Sequence, residues 1–155
     1  MRIEGEIAGI VMPVDPGRLV EHELRLDLQS FAYHPVHRVP AYAFRMLADE
    51  TGDELGGIRL RVGSTPHIEL YAGHIGYNVL PQHRGHHYAA RSVRLLMPLA
   101  RRLGIDPLWI TCDPQNHASR RTLELAGASF IEIVEVPVNC VIRQTGHPRK
   151  CRYRL

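Results

Sequence analysis

The sequence lacks the features that mark secreted, membrane-spanning and disulfide-rich proteins. It opens Met-Arg-Ile-Glu-Gly-Glu, which holds no apolar signal-peptide core, and no later apolar run is long enough for a membrane helix. The three cysteines, Cys112, Cys140 and Cys151, are an odd number in a sequence without a signal peptide, which argues against a disulfide framework. We therefore predict a cytoplasmic protein with no membrane partner.

Charge of one sign is also scarce. The 155 residues include 19 lysines and arginines against 16 aspartates and glutamates, and there is no basic run of the kind that binds nucleic acid. This mild positive balance suits a small anionic ligand and predicts no nucleic-acid partner. The length predicts one domain over residues 1–155, large enough to bury a hydrophobic core.

Alternating apolar and polar residues predict most of the strands. Residues 23–29 and 41–48 form a candidate hairpin, and we expect residues 30–40 between them to be loop. Residues 49–57 are rich in Asp, Glu and Gly and predict a turn. The other predicted strands cover residues 57–62, 68–80, 108–112, 129–136 and 150–155.

Two helices are predicted in the second half of the chain. Residues 89–103 place apolar side chains at helical spacing, and Gly104 is suited to end that helix. Asn116, a residue type that caps helix N-termini, is expected to begin the second helix. The first helix follows a strand and the basic turn Arg84-Gly85. Such a turn is a place to hold phosphate, because unpaired backbone N–H groups and the positive end of the helix dipole meet there.

Two motifs in this arrangement resemble the GCN5-related N-acetyltransferase (GNAT) family. The Arg-Gly-His-His-Tyr-Ala turn at residues 84–89 is similar to the family's pyrophosphate motif, Gln/Arg-x-x-Gly-x-Gly/Ala, with His87 where glycine is usual. The Asn-His-Ala-Ser run at residues 116–119, with Gly127 ending the helix, is similar to the family's Asn-x-x-Ala/Ser helix. The resemblance covers residues 39–130.

The resemblance implies an α+β fold, a three-layer α/β/α domain whose central mixed, mostly antiparallel sheet is splayed at the coenzyme site. Family members usually place two helices between the first two strands, but only about a dozen residues separate the candidate strands here. We therefore expect the N-terminal helices to be shortened or absent. Residues 1–22, with a helix start at Asp15-Pro16, are a candidate substitute. The acceptor site is then either more open than usual or completed by a second subunit, and the second alternative predicts a homodimer.

The resemblance also implies acetyl-CoA as the acyl donor and a primary amine of a small molecule, protein or peptide as the acceptor. The pantetheine arm is expected at the end of the strand before the turn, and the phosphates on the backbone amides of residues 85–90. At His87, an L-residue in helical conformation still offers its N–H group. The implied coenzyme-binding residues are Asn78, Val79, Leu80, Arg84, Gly85, His86, His87, Tyr88, Ala89, Ala90, Asn116 and Ser119.

Acyl transfer to an amine requires a general base and stabilisation of the departing thiolate. His74 is the candidate base, because an unperturbed histidine titrates near neutral pH, and Glu69 is a candidate that acts through water. The alternative is a buried His74, hydrogen-bonded across the sheet. Many family members carry a tyrosine seven residues after the helix-opening asparagine, but Leu123 stands there. Cys112, Ser119 or water then protonates the thiolate, or no acid is needed.

Simpler interpretations stay open on the residues alone. Arg84 is equally read as a surface arginine, the His86 and His87 side chains as solvated turn residues, and Asn116 as a helix cap. The missing tyrosine and the short N-terminal region favour a non-catalytic acyl-CoA-binding or sensing module.

A metal-dependent or nucleic-acid-associated domain is the third class of function. Cys140, His147 and Cys151, with a fourth ligand from residues 33–37, are spaced more loosely than zinc ligands usually are. We therefore expect no metal.

Overall fold

The computed structural model describes residues 6–7, 10–11 and 14–155. The strands are β1 Glu6–Ile7, β2 Ile10–Val11, β3 Leu19–Glu21, β4 Leu24–His34, β5 Val39–Ala48, β6 Glu54–Arg61, β7 Ile75–Val79, β8 Trp109–Cys112, β9 Ser129–Glu135 and β10 Arg149–Arg154. The helices are α1 Tyr88–Arg102, α2 His117–Leu125 and α3 Val141–Gln144, with a π-helical turn at Ile68–Ala72 and a 3₁₀ turn at Pro81–His83.

Two antiparallel sheets form the centre of the molecule. One has the strand order β3-β4-β5-β6-β7 and the other β8-β10-β9, and no ladder joins β7 to β8 in the described part of the chain. The predicted α+β class is confirmed, as are both long helices and the strands at residues 108–112, 129–136 and 150–155. None of the described helices is long and apolar enough to cross a membrane.

One hydrophobic core lies between the two long helices and the sheets. The apolar side of α1, with Val93, Leu96 and Leu99, is fully buried in one cluster that also holds Phe44 of β5 and Ile58 of β6. Each such side chain contributes roughly 1.5–3 kcal/mol by leaving water. From α2, Leu123 enters the same core, so the position where the family carries tyrosine is a packing position here.

The opposite side of the sheets is thinly covered. There the π-helical turn lies against the second sheet, where Thr111 Oγ1 donates to the Tyr71 carbonyl (2.7 Å) and Arg152 Nε to the Glu69 carbonyl (3.0 Å). The four residues of α3 lie near it. The second helical layer of the expected α/β/α arrangement therefore consists of only the π-helical turn and α3. This thin layer leaves concave surface on this side of the sheets.

The expected loop at residues 30–40 is wrong in most of its length. Strand β4 continues to His34 and β5 begins at Val39, leaving only a tight turn between them. A bulge at Gln29 shifts the register between Leu28 and Ser30, and this reverses the apolar alternation by which the strand was recognised.

The expected continuous strand over residues 68–80 is also wrong. The segment begins as the π-helical turn, and β7 starts only after Gly73, whose φ is 76°. A Cβ on Gly73 would lie 3.0 Å from the Thr111 nitrogen, so glycine lets the chain pass close to β8. Glu69 and Tyr71 therefore do not share a strand face with Tyr77.

The expected helix near Asp15 is not formed. Residues 14–18 are irregular and lead into β3, and the Asp15 carboxylate accepts a hydrogen bond from the Gly17 N–H at 2.8 Å, which makes a turn. The rest of the candidate substitute, residues 1–5, 8–9 and 12–13, lies outside the described residues.

His74 joins the two sheets. Its backbone N–H donates to the Trp109 carbonyl (2.6 Å), and the Trp109 N–H donates to His74 Nδ1 (2.9 Å). The other ring nitrogen, Nε2, lies 3.1 Å from Ser64 Oγ. Since Nδ1 accepts, Nε2 carries the ring proton of the neutral form. The side chain is fully buried, and burial lowers its pKa from 6.5 to about 4.

We predict that this histidine makes the fold sensitive to acid. In the unfolded chain it takes up a proton as the pH falls below 6.5, whereas in the fold it stays neutral until about pH 4. Its contribution, at most about 3 kcal/mol, is therefore complete above pH 6.5 and is lost as the pH falls toward 4. His74→Asn keeps an acceptor for the Trp109 N–H but does not titrate.

Urea unfolding at several pH values measures this effect. The His74→Asn variant should lose part of the slope of unfolding free energy between pH 4 and 6.5. Its control, His117→Gln, changes an exposed histidine and should keep the full slope. Equal slopes in both variants would contradict the assignment to His74.

Candidate functional site

The strands β7 and β8 touch at His74 and then diverge, and we call the gap beyond this junction the crevice. The edge of β7 toward β6 is occupied, as the Leu80 N–H donating to the Leu55 carbonyl (2.8 Å) shows. Because successive residues of an antiparallel strand point their backbone groups to alternate sides, those of Tyr77 and Val79 face the crevice. Both groups of Leu80 are used, since its carbonyl accepts from His83 N–H (2.9 Å). In the described part of the chain, the backbone groups of Tyr77 and the N–H group of Val79 are thus open to a ligand, while the Val79 carbonyl accepts a hydrogen bond from Arg84.

The turn before α1 presents a row of free backbone donors. The N–H groups of residues 85–90 have no hydrogen-bond partner within the part of the chain that the structure describes. The first bond of the helix runs from the Arg91 N–H to the His87 carbonyl at 2.9 Å. Such donors at the positive end of a 15-residue helix form a site for an anion.

His87 adopts a left-handed conformation, with φ 59° and ψ 27°. The ordinary helical conformation that we expect at this position is therefore wrong. A left-handed conformation costs an L-residue roughly 1–2 kcal/mol and glycine very little, which accounts for the glycine of the family motif. The imidazole is exposed and leaves the backbone N–H free.

A cleft of about 460 Å³ lies between this turn, the end of β7 and the start of α2. Its volume is in the range of small-molecule sites. Nine of the expected coenzyme-binding residues line it, namely Asn78, Val79, Arg84, Gly85, His87, Tyr88, Ala89, Asn116 and Ser119. Leu80, His86 and Ala90 do not line it, and the residues that the sequence analysis missed are Tyr77, His83, Ala118 and Thr122.

Arg84 folds back over the end of β7. Its Nε donates to the Val79 carbonyl at 3.2 Å, and its remaining N–H groups have no partner in the described ranges. The side chain thus lies at the mouth of the cleft, where its remaining N–H groups can donate to a ligand.

Hydroxyl groups from β7 and α2 meet across the crevice. Asn116 caps α2 as expected, with its Oδ1 accepting from the Ser119 N–H at 3.0 Å. Ser119 Oγ in turn lies 2.6 Å from the Tyr77 hydroxyl. Burial raises the pKa of Tyr77 to about 12 and that of the Cys112 thiol to about 11, so both stay protonated at neutral pH.

The two predicted catalytic residues lie away from the cleft. His74 uses both ring nitrogens at the sheet junction and is fully buried. Glu69 belongs to the π-helical turn, and neither residue is among those that line the cleft. The alternative interpretation of His74, a buried histidine hydrogen-bonded between strands, is the one that the geometry supports.

The three loosely spaced metal candidates do not come together. Cys151 pairs in register with Cys112 and is buried, while His147 lies 2.7 Å from Asp113 Oδ2. Cys140 lies instead near His67, 3.9 Å from its Nδ1. No group of three His, Cys, Asp or Glu residues suited to a metal occurs among the residues described.

Two further concavities adjoin the cleft. The inner pocket, about 390 Å³, shares Tyr77, Asn116 and Ser119 with it and is lined also by Arg61, Asp113 and His147. The outer trough, about 660 Å³, lies over the first sheet and is lined by residues including Arg45, Gly57, Arg59 and Asn78.

The Acetyltransferase (GNAT) domain family matches this chain over residues 12–129. No match to a curated protein is found. Among solved structures, an acetyltransferase from Agrobacterium tumefaciens str. C58 is 18% identical with a TM-score of 0.63, and the match covers 98% of this chain and 99% of that one.

Two other solved structures are longer than this chain. The ribosomal-protein-S5-alanine acetyltransferase from Vibrio fischeri is 14% identical with a TM-score of 0.57, over 74% of this chain and 61% of that one. The microcin C7 self-immunity acetyltransferase MccE, in complex with acetyl-CoA and AMP, is 14% identical with a TM-score of 0.55, over 74% and 60%. At these identities the likeness is one of fold. The family match over most of the chain carries the assignment, and this protein belongs to the GNAT acetyltransferase family.

Proposed function

We propose that this protein is an acetyl-CoA-dependent N-acetyltransferase that moves an acetyl group to a primary amine of a small-molecule or peptide acceptor by direct attack on the thioester. The observation that carries the proposal is the row of free N–H groups at residues 85–90, beside a crevice with an open strand edge. One GNAT structure of similar fold contains acetyl-CoA.

The coenzyme diphosphate binds the N–H groups of residues 85–90 in this proposal. The α1 dipole favours its negative charge, and the free donors of Arg84 add a charged contact. The pantetheine amides then pair with the open backbone groups of Tyr77 and with the Val79 N–H. This path leads the thioester to the hydroxyl groups of Tyr77 and Ser119, where α2 meets β7.

The Tyr77 hydroxyl stabilises the departing thiolate by donating a hydrogen bond. With a pKa raised to about 12, the phenol is a weaker acid than a thiol, whose pKa is about 8.5. The proton therefore stays on the phenol, and the thiolate leaves as a hydrogen-bonded anion. Leu123 has no proton to give and lies in the core.

A non-catalytic acyl-CoA-binding module is the second candidate. The buried leucine at position 123 and the absence of a helix in residues 14–22 favour it. It shares the coenzyme site with the first candidate and differs only in turnover, so a binding measurement tests the site and a rate measurement separates the two.

We predict that Gly85→Ala weakens acetyl-CoA binding at least about tenfold. Gly85 has φ 93°, and its added methyl group would stand at the row of phosphate-binding amides. Gly104→Ala is the matched control, because Gly104 also has a positive φ, 77°, and free space around it, but does not line the cleft. Both variants should lose about 1–2 kcal/mol of stability.

Calorimetric titration with acetyl-CoA, desulfo-CoA and adenosine diphosphate makes this measurement. Equal acetyl-CoA affinity in the Gly85→Ala and Gly104→Ala variants would contradict the assignment of the turn as the diphosphate site. Absence of binding by the wild-type protein would contradict the coenzyme assignment itself.

We predict that His87→Gly stabilises the protein by about 1 kcal/mol without weakening acetyl-CoA binding, because it relieves the left-handed conformation and keeps the N–H group. Arg38→Gly, at φ 60° and outside the cleft, should give a similar gain. Thermal unfolding and calorimetry measure both quantities. Weaker binding by the His87→Gly variant alone would show that the imidazole itself contacts the phosphates.

We predict that Tyr77→Phe lowers the rate of thiol release from acetyl-CoA about ten- to a hundredfold and leaves the acetyl-CoA Kd unchanged. Hydroxylamine serves as the acceptor probe, and a thiol-reactive dye follows the product. Tyr33→Phe is the control, since that ring is 60% exposed and outside the cleft. An unchanged rate in the Tyr77 variant would show that the thiolate needs no donor there.

A further inference from the structure

The inner pocket opens on the crevice from the side opposite the diphosphate turn. It shares Tyr77, Asn116 and Ser119 with the cleft, so a molecule in it would meet the thioester at those hydroxyl groups. The coenzyme path proposed above does not use its other residues. Its volume of about 390 Å³ suits a small molecule.

A cation without a counter-charge among the described residues lines this pocket. Arg61 Nη1 donates to the carbonyls of Ala72 and Gly73 at 3.0 Å each, and no carboxylate pairs with the guanidinium among the described residues. Burial lowers the pKa of Arg61 to about 10, which still leaves it charged at neutral pH. A partly buried charge of this kind gains from an anionic partner.

Glycine keeps the second guanidinium nitrogen accessible. A Cβ on Gly76 would lie 3.0 Å from Arg61 Nη2, so a larger residue at position 76 would crowd this donor. His37 lines the pocket nearby, and burial lowers its pKa to about 4, which leaves its ring uncharged at neutral pH. Lys150 also lines the pocket but is paired with Asp113, so in the part of the chain that the structure describes the unpaired positive charge of the pocket belongs to Arg61.

An oriented histidine lies elsewhere in the same pocket. Asp113 Oδ2 is 2.7 Å from His147 Nδ1, and Lys150 Nζ is 3.2 Å from Asp113 Oδ1. Burial opposes ionisation of Asp113, but the hydrogen bond from His147 and the charge of Lys150 outweigh it and lower the pKa of the carboxyl group. The carboxylate accepts a hydrogen bond from the Nδ1–H group, so neutral His147 carries its lone pair on Nε2.

We propose that the inner pocket binds the acceptor, and that the acceptor is a small amine that also carries an anionic group, with the anion on Arg61 and the amine at His147. The assignment rests on the proposed acetyltransferase function. As the amine nitrogen bonds to the acetyl carbon, the C–S bond breaks and its electron pair stays on the coenzyme sulfur. The surplus proton of the amine passes to His147 Nε2.

The outer trough is the competing place for an acceptor. Its arginines include Arg59, which is exposed and lies two residues before Arg61 on the same face of β6. The outer trough is lined by Tyr77 but by neither Asn116 nor Ser119. It therefore does not reach the pair of hydroxyl groups formed by Tyr77 and Ser119. The inner pocket is therefore the better placed of the two.

Pairs of amine probes that differ in one negative charge test the proposal. Thiol release from acetyl-CoA is followed with L-amino acids against their amides, and with phosphoethanolamine against ethanolamine. The two sets distinguish a carboxylate from a phosphate as the anionic group. In the wild-type protein, kcat/KM for the anionic member of at least one pair should exceed that of its neutral partner by about tenfold or more.

Arg61→Met should remove this preference, Arg61→Lys should keep part of it, and Arg59→Met is the matched control that should keep all of it. His147→Gln should lower kcat for the preferred probe while the preference for the anionic amine stays. This variant tests the acceptor pocket without Arg61→Met, so the test remains decisive if Arg61→Met fails to fold. Comparing ratios between variants cancels the intrinsic reactivity of each amine.

Calorimetry with acetyl-CoA distinguishes a failure of the proposed acetyltransferase function from a failure of the acceptor assignment. A wild-type protein that does not bind acetyl-CoA contradicts the proposed function. A protein that binds it but shows no preference for an anionic amine, or loses the preference in Arg59→Met and keeps it in Arg61→Met, overturns the acceptor assignment alone.

Discussion

The rest of the structure depends on the junction at which the two sheets are tied together. At His74 and Trp109 a backbone bond and a side-chain bond hold β7 against β8, and beyond that point the strands separate. Gly73 allows this close contact, because a side chain there would meet the backbone of Trp109, Ile110 and Thr111. The crevice between β7 and β8 is closed at this junction and open beyond it. It therefore exposes an edge of β7 inside the molecule.

Opening a sheet in this way leaves backbone groups without partners, and buried polar groups without partners are costly. Here the free groups of β7 and of the turn before α1 lie on the same cleft, so one elongated ligand with amides and phosphates can satisfy both. The core on the other side of β7, formed with α1, compensates for this cost. The β7 edge toward β6 is therefore used for the fold, and the opposite edge is left for binding.

The parts of the site that depend on local sequence were predictable. The turn at residues 84–89 and the cap at Asn116 follow from residues close in the chain, and both helices form where expected. The contact of Tyr77 with Ser119 joins residues far apart in the chain, and no local pattern marks it. The burial of His74 likewise depends on β8, and the bulge at Gln29 hid the end of β4. The homodimer stays a prediction.

The burial of Leu123 has a consequence for how this chain can change over time. In the family arrangement that position supplies a polar group to the reaction, whereas here its side chain is enclosed among core residues from both sheets and α1. A phenol in that place would have to displace packed neighbours and find a hydrogen-bond partner. Leu123→Tyr alone is therefore expected to overpack the core and destabilise the fold.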